Sequence, residues 1–257
     1  MRVLVYDGDC ALCEAASRAL VAWGGVPDER RRSHLRFEGE AFERLRAARF
    51  HDELAVLDES TGEIRSGVAG ILWWLRDTRL GGLARALDRP AVRAVLSPLY
   101  RLVAYNRRVI APPPPRPIPC ACDPSPHPAY QATFAALLGA GGVVGTAAVA
   151  AAATSALLDR PLSVEDAPRV LLAPAVALAL AAIVALRAPG GRRLAALGHA
   201  LWPLALASTP FLVGAAASLL LPAPAGGVGL LAGLVTGLAL LAVSAARRRR
   251  ILASWRR

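Results

Sequence analysis

The 257-residue chain has no lysine: all 30 of its basic residues are arginine. With abundant Ala, Gly and Pro, this reads as GC-rich coding and not as selection for guanidinium chemistry. Acidic residues are scarce and unevenly placed. Residues 1–129 carry 19 Arg against 16 Asp and Glu, and residues 130–257 carry 11 Arg against three. The basic excess therefore belongs to a very apolar half, which points to membrane flanks before nucleic acid. No aromatic-interleaved basic patch is present, so no nucleic-acid partner is expected. Cysteine is sparse as well, and four in this length do not make a secreted disulfide scaffold. No apolar h-region follows Met1-Arg2, so the front half is expected to stay in the cytoplasm. The apolar half has no cysteine at all. A thiol relay across a bilayer cannot run on this chain alone.

What is present is concentrated at Val3–Cys13, V-L-V-Y-D-G-D-C-A-L-C. Val3, Leu4 and Val5 suit a short buried strand. Asp7-Gly8-Asp9 is turn chemistry, and Glu14–Trp23 reads as a helix. Cys10 and Cys13 thus sit at a strand-to-helix turn. The first turn of a helix offers unpaired N–H groups and the positive end of its dipole. A thiolate is stabilised there, so Cys10 is expected to be the nucleophile. Cys13, one turn on, is placed to resolve a mixed disulfide. A Cys-x-x-Cys near a β-α pattern is the sequence form of a thioredoxin-like redox site. Half of a zinc site is the competing reading of the same pair.

Further along, Gly24-Gly25 stops the first helix, and Pro27–Ser33 reads as a charged loop. A second strand is expected at His34–Phe37 and a helix at Glu40–Arg49. Glu53–Asp58 and Glu63–Arg65 read as a hairpin across Glu59–Gly62. Ser66 is expected to cap the next helix, which carries Trp73-Trp74. Adjacent tryptophans point to different sides, so one is expected to be partly exposed. Leu80–Leu87 reads as a helix. So does Ala91–Arg108, interrupted where Ser97 can cap and Pro98 can take the first helical position. It offers an apolar face of Val95, Leu99, Leu102 and Val103 and a basic one of Arg93, Arg101, Arg107 and Arg108. Such a helix either lies on a bilayer surface or packs back on the domain. The order βαβαββα is a thioredoxin-like arrangement, so the expected fold is α/β for this half.

Y-D-G-D-C-A-L-C resembles the opening motif of the DCC family of thiol-disulfide oxidoreductases. R-S-G-V-A at Arg65–Ala69 is similar to that family's Ser-x-x-Ala helix start, and Y-R-L-V-A-Y-N-R-R at Tyr100–Arg108 to its C-terminal signature. The likeness covers about residues 3–122. It implies Cys10 and Cys13 as the redox pair and Asp7 as the motif aspartate, with no cofactor beyond the disulfide. Asp9 and Ser66 are candidate supporting residues. The chain departs from thioredoxin in one respect: no proline lies between Leu35 and Ser66 to precede a central strand. Asp7-Gly8-Asp9 also faintly resembles the Asp-x-Asp of haloacid-dehalogenase-type phosphotransferases. No later acidic pair following a strand supplies the Mg²⁺ partner that chemistry needs.

Ala111–Pro119, A-P-P-P-P-R-P-I-P, reads as a polyproline II spacer. At about 3.1 Å per residue it reaches on the order of 25 Å. It ends at a second pair, Cys120 and Cys122. That pair relays electrons from Cys10 and Cys13, completes a four-cysteine zinc site, or is inert. Three regions result: a redox domain at 1–110, a linker at 111–129 and a membrane region at 130–257.

From Ala132 onward four apolar segments follow, at about Ala132–Leu158, Val170–Leu186, Leu194–Leu221 and Val228–Ala246. Each suits a membrane span. Pro203 and Pro210 are expected to kink or tilt the third. Arg187, Arg192 and Arg193 follow the second segment, and Arg247–Arg250 follow the fourth, while 222–227 is uncharged. The positive-inside rule then puts both termini in the cytoplasm, on the inner face of the cell membrane. Gly141 and Gly145, and Gly229, Gly233 and Gly237, form small-residue stripes suited to close helix contact, within the chain or in an oligomer. His199 is the one ionisable residue well inside a segment, and so a functional candidate. The expected function is a membrane-anchored thiol-disulfide oxidoreductase facing the cytoplasm, acting on a thiol or disulfide substrate. The alternative is a zinc-binding or scaffold membrane protein.

Overall fold

The computed structural model describes residues 1–48, 50–112, 127–158, 163–220 and 225–254. The chain forms two compact units, Met1–Tyr130 and Gln131–Arg257.

The first unit is built on a four-stranded sheet. Its strands are β1 (Arg2–Tyr6), β2 (Arg31–Ser33), β3 (Ala55–Asp58) and β4 (Ile64–Ser66), in the order β2-β1-β3-β4. β1 pairs with β2 in parallel and with β3 antiparallel, and β3 pairs with β4 antiparallel. β1 is central, so the continuous run Val3-Leu4-Val5 is buried on both faces. Leu4 and Val56 meet Val21 of α1 (Ala11–Gly24), Leu72, Trp73 and Trp74 of α3 (Gly67–Leu75), and Ala84 of α4 (Gly81–Leu87). Val5 and Ala55 meet Leu45 of α2 (Gly39–Ala47) and Phe50 on the other face. Helices therefore cover both sides of the sheet. A long helix, α5 (Pro90–Ile110), closes the unit against α3.

Four expectations are corrected here. The second strand lies at Arg31–Ser33, inside the expected charged loop, and His34–Arg36 is a 3-10 turn. At the sheet edge a polar strand suffices, so no hydrophobic alternation marks it. Ser66 sits at the N-cap position of α3, but its hydroxyl donates to Ala48 O at 2.7 Å and caps nothing. Trp73 and Trp74 are both buried. The Arg2 and Arg65 guanidinium groups lie over the Trp73 ring at 4.3 and 4.5 Å, so cation–π contacts cover the tryptophan that would otherwise be exposed. Finally, α5 runs unbroken through Pro98. Pro98 and Ala94, whose carbonyl loses its helical donor, both lie on the exposed side, where that carbonyl is open to solvent.

The second unit contains α6 (Pro128–Leu158), α7 (Ala167–Leu186), α8 (Arg193–Leu220) and α9 (Ala225–Ser254). Among the described residues three stretches are long and apolar enough to cross a membrane: Pro128–Ser155, Val164–Leu186 and Gly190–Val213. α7 leaves Leu171, Leu172, Leu180 and Leu186 exposed, as suits a helix in lipid. α8 is one helix through both Pro203 and Pro210. Its partner contacts follow the glycines. A Cβ on Gly233 would lie 2.4 Å from Pro210 O, and one on Gly237 2.5 Å from Ala207 O. α9 therefore runs antiparallel to α8 at close approach. Gly139, Gly142 and Gly145 face Leu201, Leu204 and Ser208 in parallel register, whereas Gly141 has nothing within 4 Å. Gly145, Gly233 and Gly237, which the sequence also offered to a second copy, are filled within the chain.

Candidate functional site: a buried dithiol braced by two arginines

The site is assembled where β1 ends. Asp7 follows the strand and is buried. Its carbonyl accepts from Cys10 N at 3.1 Å, and its Oδ1 accepts from Asp9 N at 2.9 Å. These two bonds hold the Asp7-Gly8-Asp9 turn and aim the chain into α1. Gly8 N donates to His34 Nδ1 at 3.1 Å. A Cβ on Gly8 would fall 2.1 Å from Ser33 Oγ, so a larger residue in the turn would have to displace that hydroxyl, which accepts from Leu35 N.

Cys10 is the N-cap of α1, as its place in the sequence implied. Its Sγ accepts from Cys13 N at 3.3 Å, where a Ser or Asp cap would place oxygen. The Cys13 thiol hydrogen-bonds to it as well, and this lowers the Cys10 pKa most. Burial opposes, the Cys13 N–H and the Arg107 charge assist, and Asp7 opposes; the result is a Cys10 pKa of about 6. The Cys13 thiol is pushed up, chiefly because it donates to Cys10 and then because it is itself buried. The two sulfurs thus share one proton at neutral pH, and Cys13 holds it. Both are free thiols in this structure.

The pair differs in access. Cys10 is 1% exposed, while Cys13 is half-buried. Cys13, not Cys10, lines a small cleft of about 70 Å³ together with Leu12, Tyr100 and Val103, and with Asp7 and Arg107 deeper in. Tyr100 spans the cleft wall, and its hydroxyl accepts from Leu54 N at 2.7 Å, just ahead of β3.

Arg107 and Arg108 belong to the basic face of α5, and the structure packs this end of the helix back on the domain with both side chains turned to the site. Arg107 Nη2 lies 3.3 Å and Arg108 Nη2 3.2 Å from Asp7 Oδ2. Arg107 also donates to the carbonyls of Asp52 and His51, and Arg108 to that of Asp9 at 2.9 Å. The last two turns of α5 are thereby tied to the turn that carries the thiols, some 100 residues earlier. Asp7 and a Cys10 thiolate are negative and the two guanidinium groups beside them positive, with Asp52 and Glu53 lining the same cleft. A buried thiolate is tolerable in such company.

The other expected residues fall as follows. Asp9 gives its N–H to Asp7 Oδ1 and its carbonyl to Arg108. Ser66 is absent from the cleft lining, its hydroxyl being engaged with Ala48. Cys120 and Cys122 lie outside the described residues. Asp7, Cys10 and Cys13 place one donor atom each within 4.8 Å of the others, as do Asp7, Asp9 and His34. A cation at either place would meet the two guanidinium groups already on Asp7. His199 is buried in the second unit, 2.7 Å from Arg248, whose guanidinium lies 5.3 Å over the Trp202 ring. This contact ties α8 to α9. Sequence reading missed His34 and the inward turn of Arg107 and Arg108; the only signal for the latter was two adjacent arginines closing a helix otherwise free of acids.

Comparison with family models, with curated proteins and with solved structures finds no match for this chain. The dithiol is therefore read from its own geometry.

One test is direct. Because only the thiolate is alkylated, the rate at Cys10 should rise with pH along a curve centred near 6. Cys13 should stay unlabelled through neutral pH. Peptide mapping after iodoacetamide pulses checks both. The sign for stability follows. The folded Cys10 pKa is depressed, so its contribution is full above the unfolded value and is lost as pH falls through about 6.

Proposed function

We propose that this protein is a membrane-anchored thiol-disulfide oxidoreductase whose first unit is a thioredoxin-like domain of the DCC type. The observation that carries the reading is the Cys10 sulfur held as the cap of α1, with its pKa lowered to about 6 by Cys13. The sheet order, with β1 and β2 parallel and the β3–β4 hairpin beside them, supports the thioredoxin-like assignment. The Cys10 thiolate attacks a substrate disulfide, forming a mixed disulfide and releasing one substrate thiolate. Cys13 then gives up its proton and attacks the Cys10 sulfur. The Cys10–Cys13 disulfide forms, and the second substrate thiol leaves. The substrate gains two electrons, and an external dithiol restores the pair. Because Cys10 is buried, the substrate enters through the cleft beside Cys13, and Cys13 must shift aside as it does.

The second unit anchors the domain. We read α9 as a fourth span, with both termini on the cytoplasmic side of the inner membrane, from the placement of Arg187, Arg192, Arg193 and Arg247–Arg250. Anchoring raises the local concentration of membrane-borne partners without new contacts.

In the full chain in lipid, Cys13→Ser should stall as a mixed disulfide through Cys10, identifiable by mass spectrometry. Cys10→Ser should trap nothing. Trapping through neither cysteine, with stoichiometric zinc in the purified protein, would instead establish the metal-binding reading that the Asp7–Cys10–Cys13 grouping allows.

A further inference from the structure

We infer that the outer face of α5 docks on the surface of a lipid bilayer. Ala91, Val95, Leu99 and Val103 recur at every fourth residue and form one row along the helix. The row is not part of the core: Val95, Leu99 and Val103 are 60%, 56% and 45% exposed. Ala94 and Pro98 widen it, and both are exposed. The opposite side of the same helix is fully engaged through Tyr100, Ala104, Asn106 and Arg107. The helix therefore has an inner face that builds the dithiol site and an outer apolar face that nothing in its own unit covers.

Three observations point to a bilayer as the occupant. First, the sequence from Pro90 to Ile110 contains no acidic residue, while Arg89, Arg93 and Arg101 stand at its exposed margins. Arg93 and Arg101 pair with Asp88 and Glu53 yet keep nearly half of their side chains open. An apolar stripe edged by arginine is the pattern of a helix lying in the interface plane. Second, the chain brings its own membrane. Residues 111–127 separate the end of α5 from the start of α6, whose Pro128–Ser155 is long and apolar enough to cross a bilayer. Even fully extended, these residues reach no more than about 60 Å, so the face is always near lipid and a weak affinity suffices. Third, Pro98 frees the Ala94 carbonyl on this same side. That suits shallow docking at headgroup depth, where water remains, and not deep burial in hydrocarbon.

The docking has a functional corollary. Val103 belongs both to the apolar row and to the lining of the cleft that Cys13 enters. Docking sets the cleft mouth at the headgroup layer, within reach of disulfides carried by membrane proteins. The docking itself does not depend on the thiol chemistry and is tested without it.

The full chain is reconstituted in phosphatidylcholine–phosphatidylglycerol vesicles with a photo-reactive diazirine analogue of leucine at position 99. A second preparation carries it at position 46, an exposed site on α2. After irradiation, mass spectrometry reads the adducts. Position 99 should label lipid several-fold more than position 46, and Val95→Glu should return it to the level at 46. In the same Val95→Glu protein, Cys10 alkylation at pH 6 should be unchanged, which shows that the domain is still folded. Equal lipid labelling at 99 and 46 overturns the inference. So does crosslinking of 99 chiefly to a second copy or to residues 131–257, or labelling that Val95→Glu leaves intact.

Discussion

Arg107→Met should cost the first unit on the order of 3–5 kcal/mol, the usual consequence of breaking a buried ion pair from one side. Arg107 is buried, and Asp7 beside it is buried too. Removing the guanidinium leaves the carboxylate with Arg108 as its remaining cation and orphans the carbonyls of Asp52 and His51. Chemical unfolding of the full chain in detergent, followed by Cys10 accessibility, measures the loss. The same variant separates a second effect. Arg107 is one of the groups that lower the Cys10 pKa, so the alkylation curve should move to higher pH. Arg108→Met should do less to stability, because Arg108 is less deeply buried than Arg107. If both substitutions are silent in stability and in pH profile, the arginine brace is ornamental and the thiolate depends on Cys13 alone.

A topology reporter should give an all-or-none result. Fused after Arg257, it should report the cytoplasm; inserted within 222–227, it should report the opposite side. Arginine is placed for this orientation: 187, 192 and 193 follow the second apolar segment, and 247–250 follow the fourth. The antiparallel contact of α8 with α9 at Gly233 and Gly237 fits two successive crossings. An outward C-terminus with 222–227 outward as well would remove α9 as a span, whereas an outward C-terminus with 222–227 inward would keep four spans and place the dithiol in a different redox compartment.

The parts of this protein that were legible from sequence are those encoded locally. Val3–Val5 is a buried strand because three apolar residues in a row fit a central position. Cys10 caps a helix because turn residues precede it and a helical pattern follows. The apolar half is legible from length and composition. What escaped is what the chain settles at long range. Arg107 and Arg108 look like a solvated face until β1 is seen to deliver Asp7 to them. Arg31–Ser33 pairs as a strand because β1 offers an open edge, and its own residues carry no such signal. Pro98 was read as a break, but one lost donor on an exposed side does not outweigh a helix packed along its other face. Trp73 and Trp74 both find cover, Trp74 in the apolar core and Trp73 also under the Arg2 and Arg65 guanidinium groups.

The balance of charge around Cys10 has a consequence for the redox potential of the pair. Two guanidinium groups are set against Asp7 and one thiolate. Forming the Cys10–Cys13 bond consumes the thiolate and removes one of the negative charges set close to the two guanidinium groups. The reduced state is thereby favoured over the oxidised one, and a disulfide whose reduced form is stabilised is a stronger oxidant. The cycle linking oxidation to unfolding then requires the reduced protein to melt at a higher temperature than a disulfide cross-link alone would suggest. A pair of this kind is a weak reductant as the dithiol and a ready electron acceptor as the disulfide, so the proposed reduction of a substrate requires a substrate disulfide that is more oxidising still.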